Sequence, residues 1–262
     1  MYLLPLGTGG FIPNQDRETS SYLIRSQDDA ILFDLGTGLA RLMDERLQHH
    51  IQDLRCINVM LSHYHLDHLI GLTWLARMAD APLRIYAPTK PWVEADAEEA
   101  LRTITNQPYF GLSLNEYPHG VEIIPITEKR ITVGRTVIHV IPQDHPGGSL
   151  GFRIDDKFAY ITDTDPDRQH IEFMKDMGLV LVDTMYDEAG YKEKMAKTGK
   201  KKLDHGYPSG VAQLCGMASV SRMGLIHIDP FYGERDIERL LREATEVFKN
   251  AFIPREGEIY TL

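Results

Sequence analysis

Ser62-His63-Tyr64-His65-Leu66-Asp67-His68 follows directly on an apolar run, Cys56 to Leu61, that reads as a buried strand. Three imidazoles and a carboxylate fall within six positions of a loop leaving a strand end. Neutral imidazole and carboxylate are the donors that hold zinc, manganese or iron, and donors spaced this closely can turn toward one point. The competing reading is a solvated histidine-rich loop; Asp67, at its fixed offset among the histidines, argues against it. Four donors can serve two ions but cannot complete their coordination, so further ligands are expected downstream.

Three residues farther along stand at strand ends. His145 follows the strand-like Thr136 to Ile141 and opens Asp144-His145-Pro146-Gly147-Gly148-Ser149, where the glycines let the backbone come close to whatever lies above. Asp163 ends the run Phe158 to Thr162, and His227 ends Gly224-Leu225-Ile226. A lone His or Asp at a strand end is more often a hydrogen-bonded structural residue than a ligand. Three of them, in this order after the first motif, reverse that weighting.

With these residues in place the chain resembles the metallo-β-lactamase superfamily of dinuclear hydrolases, and within it the phosphodiesterase branch that includes the tRNA 3′-processing nuclease tRNase Z. The resemblance covers almost the whole chain: Leu6-Gly7-Thr8-Gly9-Gly10, Thr19-Ser20-Ser21-Tyr22-Leu23-Ile24, Phe33-Asp34-Leu35-Gly36-Thr37-Gly38, the histidine motif, then His145, Asp163, His205 and His227. It implies that His63, His65 and His145 hold one metal, that Asp67, His68 and His227 hold a second, and that Asp163 bridges both. It implies two divalent ions per chain, zinc first and manganese or iron as alternatives. The branch also carries a His in a Gly-His-Ser segment. Asp204-His205-Gly206 stands in for it with the neighbours changed, which makes His205 a candidate catalytic residue, with Asp67 serving in catalysis as well as ligation.

The 262 residues, 43% of them hydrophobic, suffice to bury a large core, and one domain over residues 1–262 is expected. Met1 to Gly7 lacks a positive n-region and breaks early with Pro5 and Gly7, so a signal peptide is not read there. No apolar stretch approaches a membrane span, and a cytoplasmic protein without membrane contact is expected. Cys56 and Cys215 lie in apolar surroundings and read as buried free thiols.

Along the chain, Tyr22 to Arg25 and Ala30 to Asp34 read as paired strands, and Leu39, Leu42, Met43, Leu47 and Ile51 recur at helical spacing. Asn58 to Leu61 reads as a strand, Leu69 to Met78 as a helix, Leu83 to Tyr86 as a strand and Trp92 to Thr105 as a helix. Hairpins follow, turning at Gly134 and Asp155-Asp156. The end reads as helix (Ile171 to Met177), strand (Leu179 to Asp183), helix (Ser209 to Ala218), strand (Met223 to Ile226) and helix (Glu234 to Phe248). Helices on both outer faces of two sheets give an α/β, four-layer αββα sandwich.

Two ions about 3.5 to 4 Å apart turn a water between them into hydroxide near neutral pH, able to attack phosphorus or a carbonyl carbon. His205 then protonates the leaving oxygen or bonds a phosphoryl oxygen; otherwise it caps the helix after it. Asp34 is a candidate to orient a ligating histidine, or else turn chemistry before Gly36.

The net charge of −10 argues against indiscriminate binding to a nucleic-acid backbone. Lys192 to Lys202 departs from it, with six lysines and one glutamate; it reads as a solvated loop or as a stretch that draws an anionic substrate toward His205. Tyr186, Tyr191 and Tyr207 flank it and can stack on a base or pack in the core. The tRNA nuclease reading calls for a long Gly/Pro-rich arm, which is missing. Pro88 to Gly120, the longest stretch available, suits a lid or a subunit contact, and a homodimer is expected. A small anionic phosphodiester such as a cyclic nucleotide therefore precedes tRNA as substrate. Lactone or thioester hydrolysis and a non-catalytic ligand-sensing module are the remaining alternatives.

Overall fold

The apolar run ahead of the histidines is a strand, Ile57–Met60, with all four residues buried, inside a seven-stranded mixed sheet. The computed structural model describes residues 1–26, 29–78 and 80–262. These form two compact units, each organised on one seven-stranded sheet.

In the first unit, residues 1–8, 15–128 and 255–261, strands β1 (Tyr2–Gly7), β2 (Ser21–Arg25), β3 (Ala30–Phe33), β4 (Ile57–Met60), β5 (Leu83–Pro88) and β6 (Val121–Ile126) lie in chain order. A short strand, Tyr260–Thr261, pairs outside β1. β1 to β3 are antiparallel and β3 to β6 parallel. Parallel strands are covered on both faces, which is why β3 reads Ala-Ile-Leu-Phe with no polar residue. Leu32, Val59 and Ile85 pack with Leu72, Leu75 and Leu101 from the connecting helices.

The helical spacing from Leu39 to Ile51 does not make one helix. It breaks into a 3-10 helix Thr37–Met43, one α turn Glu45–Gln48 and a 3-10 turn His49–Ile51. Asp44 is the break: its backbone is extended and its side chain accepts the Arg46 N–H at 2.9 Å, capping a new turn and leaving Met43 exposed. The helix expected over Leu69 to Met78 is two pieces, Leu66–Leu69 and Leu72–Met78, because the Gly71 N–H donates to the Leu35 carbonyl at 2.6 Å. The one expected from Trp92 starts at Ala97, where the Asp96 side chain accepts from the Glu98 and Glu99 amides.

In the second unit, residues 9–14 and 129–254 with Leu262, strands β7 (Arg130–Val133), β8 (Thr136–Gln143), β9 (Ser149–Ile154), β10 (Phe158–Ile161), β11 (Leu179–Asp183), β12 (Met223–Ile226) and β13 (Ala251–Phe252) again follow chain order. β7 to β10 are antiparallel and β10 to β13 parallel. β8, β10, β11 and β12 therefore end at the same edge, the edge where open α/β sheets bind ligands. The turns at Gly134 and Asp155-Asp156 join β7 to β8 and β9 to β10. Helices Pro208–Met217 and Glu234–Val247 match expectation within a residue, and Gln169–Phe173 is shorter than expected.

The lysine run is not simply a loop. Lys192, Lys194 and Lys197 ride on a helix, Glu188–Thr198, capped by the Asp187 side chain on the Gly190 N–H and stopped by Gly199 in the left-handed region. Ion pairs Glu188–Lys192 and Glu193–Lys197 at i,i+4 support it. Cys215 is a buried free thiol, its pKa pushed by burial up to about 12, whereas Cys56 is only half-buried. Among the described residues no helix is long and apolar enough to cross a membrane.

Candidate metal centre

β3 and β4 are in parallel register with Phe33 opposite Met60, so Asp34 and Ser62-His63 emerge side by side. Asp34 is fully buried, and its carboxylate accepts from the Ser62 N–H, the Ser62 hydroxyl and His68 Nδ1, each at 2.7 Å. A carboxylate only accepts, so His68 carries its proton on Nδ1 and presents Nε2 as a donor lone pair. The Ser62 hydroxyl, having given its proton to Asp34, accepts from His63 Nδ1 at 2.9 Å and fixes that ring the same way. The His63 ring lies between those of His65 and His68, at centroid distances of 4.5 and 4.3 Å. The turn Leu66–Leu69 brings Asp67 Oδ2 to 3.4 Å from His68 Nε2. Gly36 lets the backbone of this turn lie close, since a Cβ there would stand 2.4 Å from the Asp67 carbonyl oxygen.

The orienting role of Asp34 makes a prediction. Asp34→Asn keeps the shape and tolerates the left-handed backbone at this position (φ 57°), but lets the side-chain amide compete for His68 Nδ1. Metal affinity, read by chelator competition, is expected to fall by ~10- to 100-fold with the protein still folded. Unchanged affinity would reduce Asp34 to turn chemistry.

In the second unit three adjacent parallel strands deliver Asp163 after β10, Asp183 at the end of β11 and His227 after β12, while His145 follows β8. Asp163 and His227 both adopt left-handed backbone, φ 53° and 56°, as Asp34 does. Such conformations cost on the order of 1 kcal/mol or more apiece and persist where the surroundings over-determine them. The Asp163 N–H donates to Asp183 Oδ2 at 2.9 Å, and its own Oδ2 accepts from the Thr162 hydroxyl at 2.6 Å. Asp163 Oδ1 is thereby turned toward His227 Nε2 at 3.4 Å and His145 Nε2 at 3.7 Å. His145 Nδ1 donates to the Asp204 carbonyl at 3.1 Å, leaving its Nε2 as the lone-pair nitrogen. Gly10 lets the N-terminal loop lie on the His227 ring; a Cβ there would sit 2.4 Å from it.

His205 does not cap the helix that follows it. The N-cap of Pro208–Met217 is Tyr207, without a side-chain cap bond, while His205 Nδ1 donates to Asp183 Oδ2 at 2.8 Å. Its ring stacks on His227 at 4.9 Å and meets Tyr186 edge-on. Burial disfavours the charged ring, but Asp183, followed by Asp163 and Asp204, outweighs it and raises the pKa to about 9. Of the three tyrosines, Tyr191 is buried with its hydroxyl on Asp165 at 2.6 Å and its ring 4.2 Å from that of Tyr207, so it belongs to the core.

Asp183 is the residue the sequence reading missed. It binds the Asp163 amide, His205 and the Gly206 amide, and with Asp163, His205 and His227 it offers ligand atoms all within 4.8 Å of one another. Its signal was available: like Asp163, it is a carboxylate ending a wholly apolar strand, Leu179 to Val182.

The donors fit a divalent metal. They are imidazoles and carboxylates, and in His63, His68 and His145 the second ring nitrogen is already tied to an oxygen. The model of the metallo-β-lactamase superfamily matches residues 15–204. The chain is 24% identical to a ribonuclease Z of Methanosarcina acetivorans over an alignment of 306 residues, covering 96% of this chain and 94% of the relative. The short form of human tRNase Z superposes with a TM-score of 0.71 at 18% identity, covering 100% of this chain and 99% of the other. A diphosphatase of the PhnP family gives 0.70 at 16% identity, with 100% and 97% covered. Two mixed sheets with their helices match the α/β sandwich expected from the histidine motif, and the chain belongs to the metallo-β-lactamase superfamily.

Proposed function

We propose that this protein is a dinuclear metal-dependent phosphodiesterase acting on a small phosphodiester such as a cyclic nucleotide. His63, His65 and His145 would hold one ion, Asp67, His68 and His227 the other, and Asp163 both. When bound, the ions supply an activated water and neutralise charge on the transferring phosphoryl group. Asp163 presents a single oxygen toward two imidazoles while Thr162 holds the other, a disposition suited to a shared ligand. Asp183 holds His205 Nδ1 and favours the protonated ring, so Nε2–H is the group placed to donate to the leaving oxygen.

The observation that carries the choice of a small substrate is length. The alignment with the ribonuclease Z runs over 306 residues against 262 in this chain, so at least 44 positions of the relative have no counterpart here. Those positions are chain the relative has in addition, and a cyclic nucleotide asks for less protein surface than an RNA does. The ribonuclease Z reading is the runner-up, favoured by the name of a relative matched over nearly its whole length. Bis(p-nitrophenyl) phosphate, cyclic nucleotides, precursor tRNA and a simple lactone, each assayed with zinc and with manganese, separate the readings. Turnover of the cyclic nucleotide well above that of precursor tRNA is expected. Cleavage of precursor tRNA alone reverses the ranking, and turnover of the lactone alone removes the phosphodiesterase reading.

A further inference from the structure

The lysines between Lys192 and Lys202 are not equivalent. Lys192 pairs with Glu188, Lys197 with Glu193 and Lys202 with Asp167, so three are neutralised locally. Lys200 and Lys201 follow the helix stop at Gly199 and are exposed. Lys194 is different. Its ammonium donates to the Tyr186 hydroxyl and stands 4.4 Å from the centre of that ring, and Tyr186 meets His205 edge-on with centroids 5.9 Å apart. The helix thus sets one cation on Tyr186, the half-buried tyrosine whose ring meets His205 edge-on, and the tyrosine hydroxyl accepts from the lysine and keeps its own proton to give.

We propose that Lys194 and Tyr186 form a clamp for a phosphoryl oxygen beside His205, and that this pair, rather than the Lys200–Lys202 stretch, selects an anionic substrate. The proposal rests on the phosphodiesterase reading and deepens it. An ammonium and a phenolic hydroxyl converging from one side give two charge-assisted donors to an oxyanion. A neutral ester gains little from them. A merely structural role for Lys194, seating its helix on Tyr186, would show in thermal stability and not in anion affinity.

The test is isothermal titration of the zinc-loaded protein with inorganic phosphate and with methylphosphonate, which cannot turn over. Lys194→Gln should weaken both by roughly tenfold or more, Lys194→Arg should restore most of the loss, and Tyr186→Phe should weaken them by a smaller factor. The double variant Lys200→Gln/Lys201→Gln should stay within about twofold of the parent. With bis(p-nitrophenyl) phosphate, Lys194→Gln should raise KM more than it lowers kcat. Equal affinity in parent and Lys194→Gln overturns the clamp, as does a parent that binds neither anion, or a loss in the double variant as large as that in Lys194→Gln. A parent that binds phosphate through Lys194 yet hydrolyses only the lactone would sustain the clamp and sink the phosphodiesterase reading.

Discussion

Asp163→Asn is expected to empty both metal positions and to lower kcat/KM for a phosphodiester by more than ~10³, the order of loss when metal catalysis disappears altogether. The substitution is chosen to separate chemistry from folding. Asn tolerates the left-handed backbone that Asp163 adopts, keeps an oxygen for the Thr162 hydroxyl and leaves the backbone N–H on Asp183. What it removes is the negative charge shared by His145 Nε2 and His227 Nε2, one assigned to each ion. Asp67→Asn, on one ion only, should cost a single equivalent. Metal content by plasma emission on freshly purified protein decides the matter: Asp163→Asn that retains two equivalents would remove the bridging assignment.

His205→Ala is expected to keep its metals and lose ~10²- to 10⁴-fold in kcat, the range for a missing general acid. Its ring lies 3.9 Å from Asp163 through Nδ1, but that nitrogen is engaged with Asp183, so ligation does not depend on it. The penalty should shrink for a p-nitrophenolate leaving group, which needs no proton, and stay large for an alkoxide. A loss independent of the leaving group would mean that His205 binds a phosphoryl oxygen instead.

Much of the site was legible because its donors are local or repeat one pattern. His63, His65, Asp67 and His68 share six residues, and the structure places them on the loop leaving a strand and the helical turn after it. His145, Asp163 and His227 were readable because each follows an apolar strand, and strands that run the same way end at one edge. The helices were read less well where side chains competed with the backbone. Asp44 and Asp96 each end an extended segment by capping the next amides, and a hydrophobic period carries no trace of that.

The sequence by itself determined the superfamily and most of the strand order and pointed to seven candidate donors, since short-range spacing and strand-end position suffice for those. Tertiary structure alone decided which atoms face which. Asp34 could orient a histidine or close a turn until it was seen accepting from His68, thirty-four positions away. Asp183 ends an apolar strand as Asp163 does, but its partners are set only when parallel pairing places it between Asp163 and His227. Lys194 is one of six similar charges until the helix phase turns it, and not its neighbours, onto Tyr186. The physical reason is the same in each case: a side chain's partner lies across a sheet edge or a helix face, at a sequence separation over which neither period nor composition carries information.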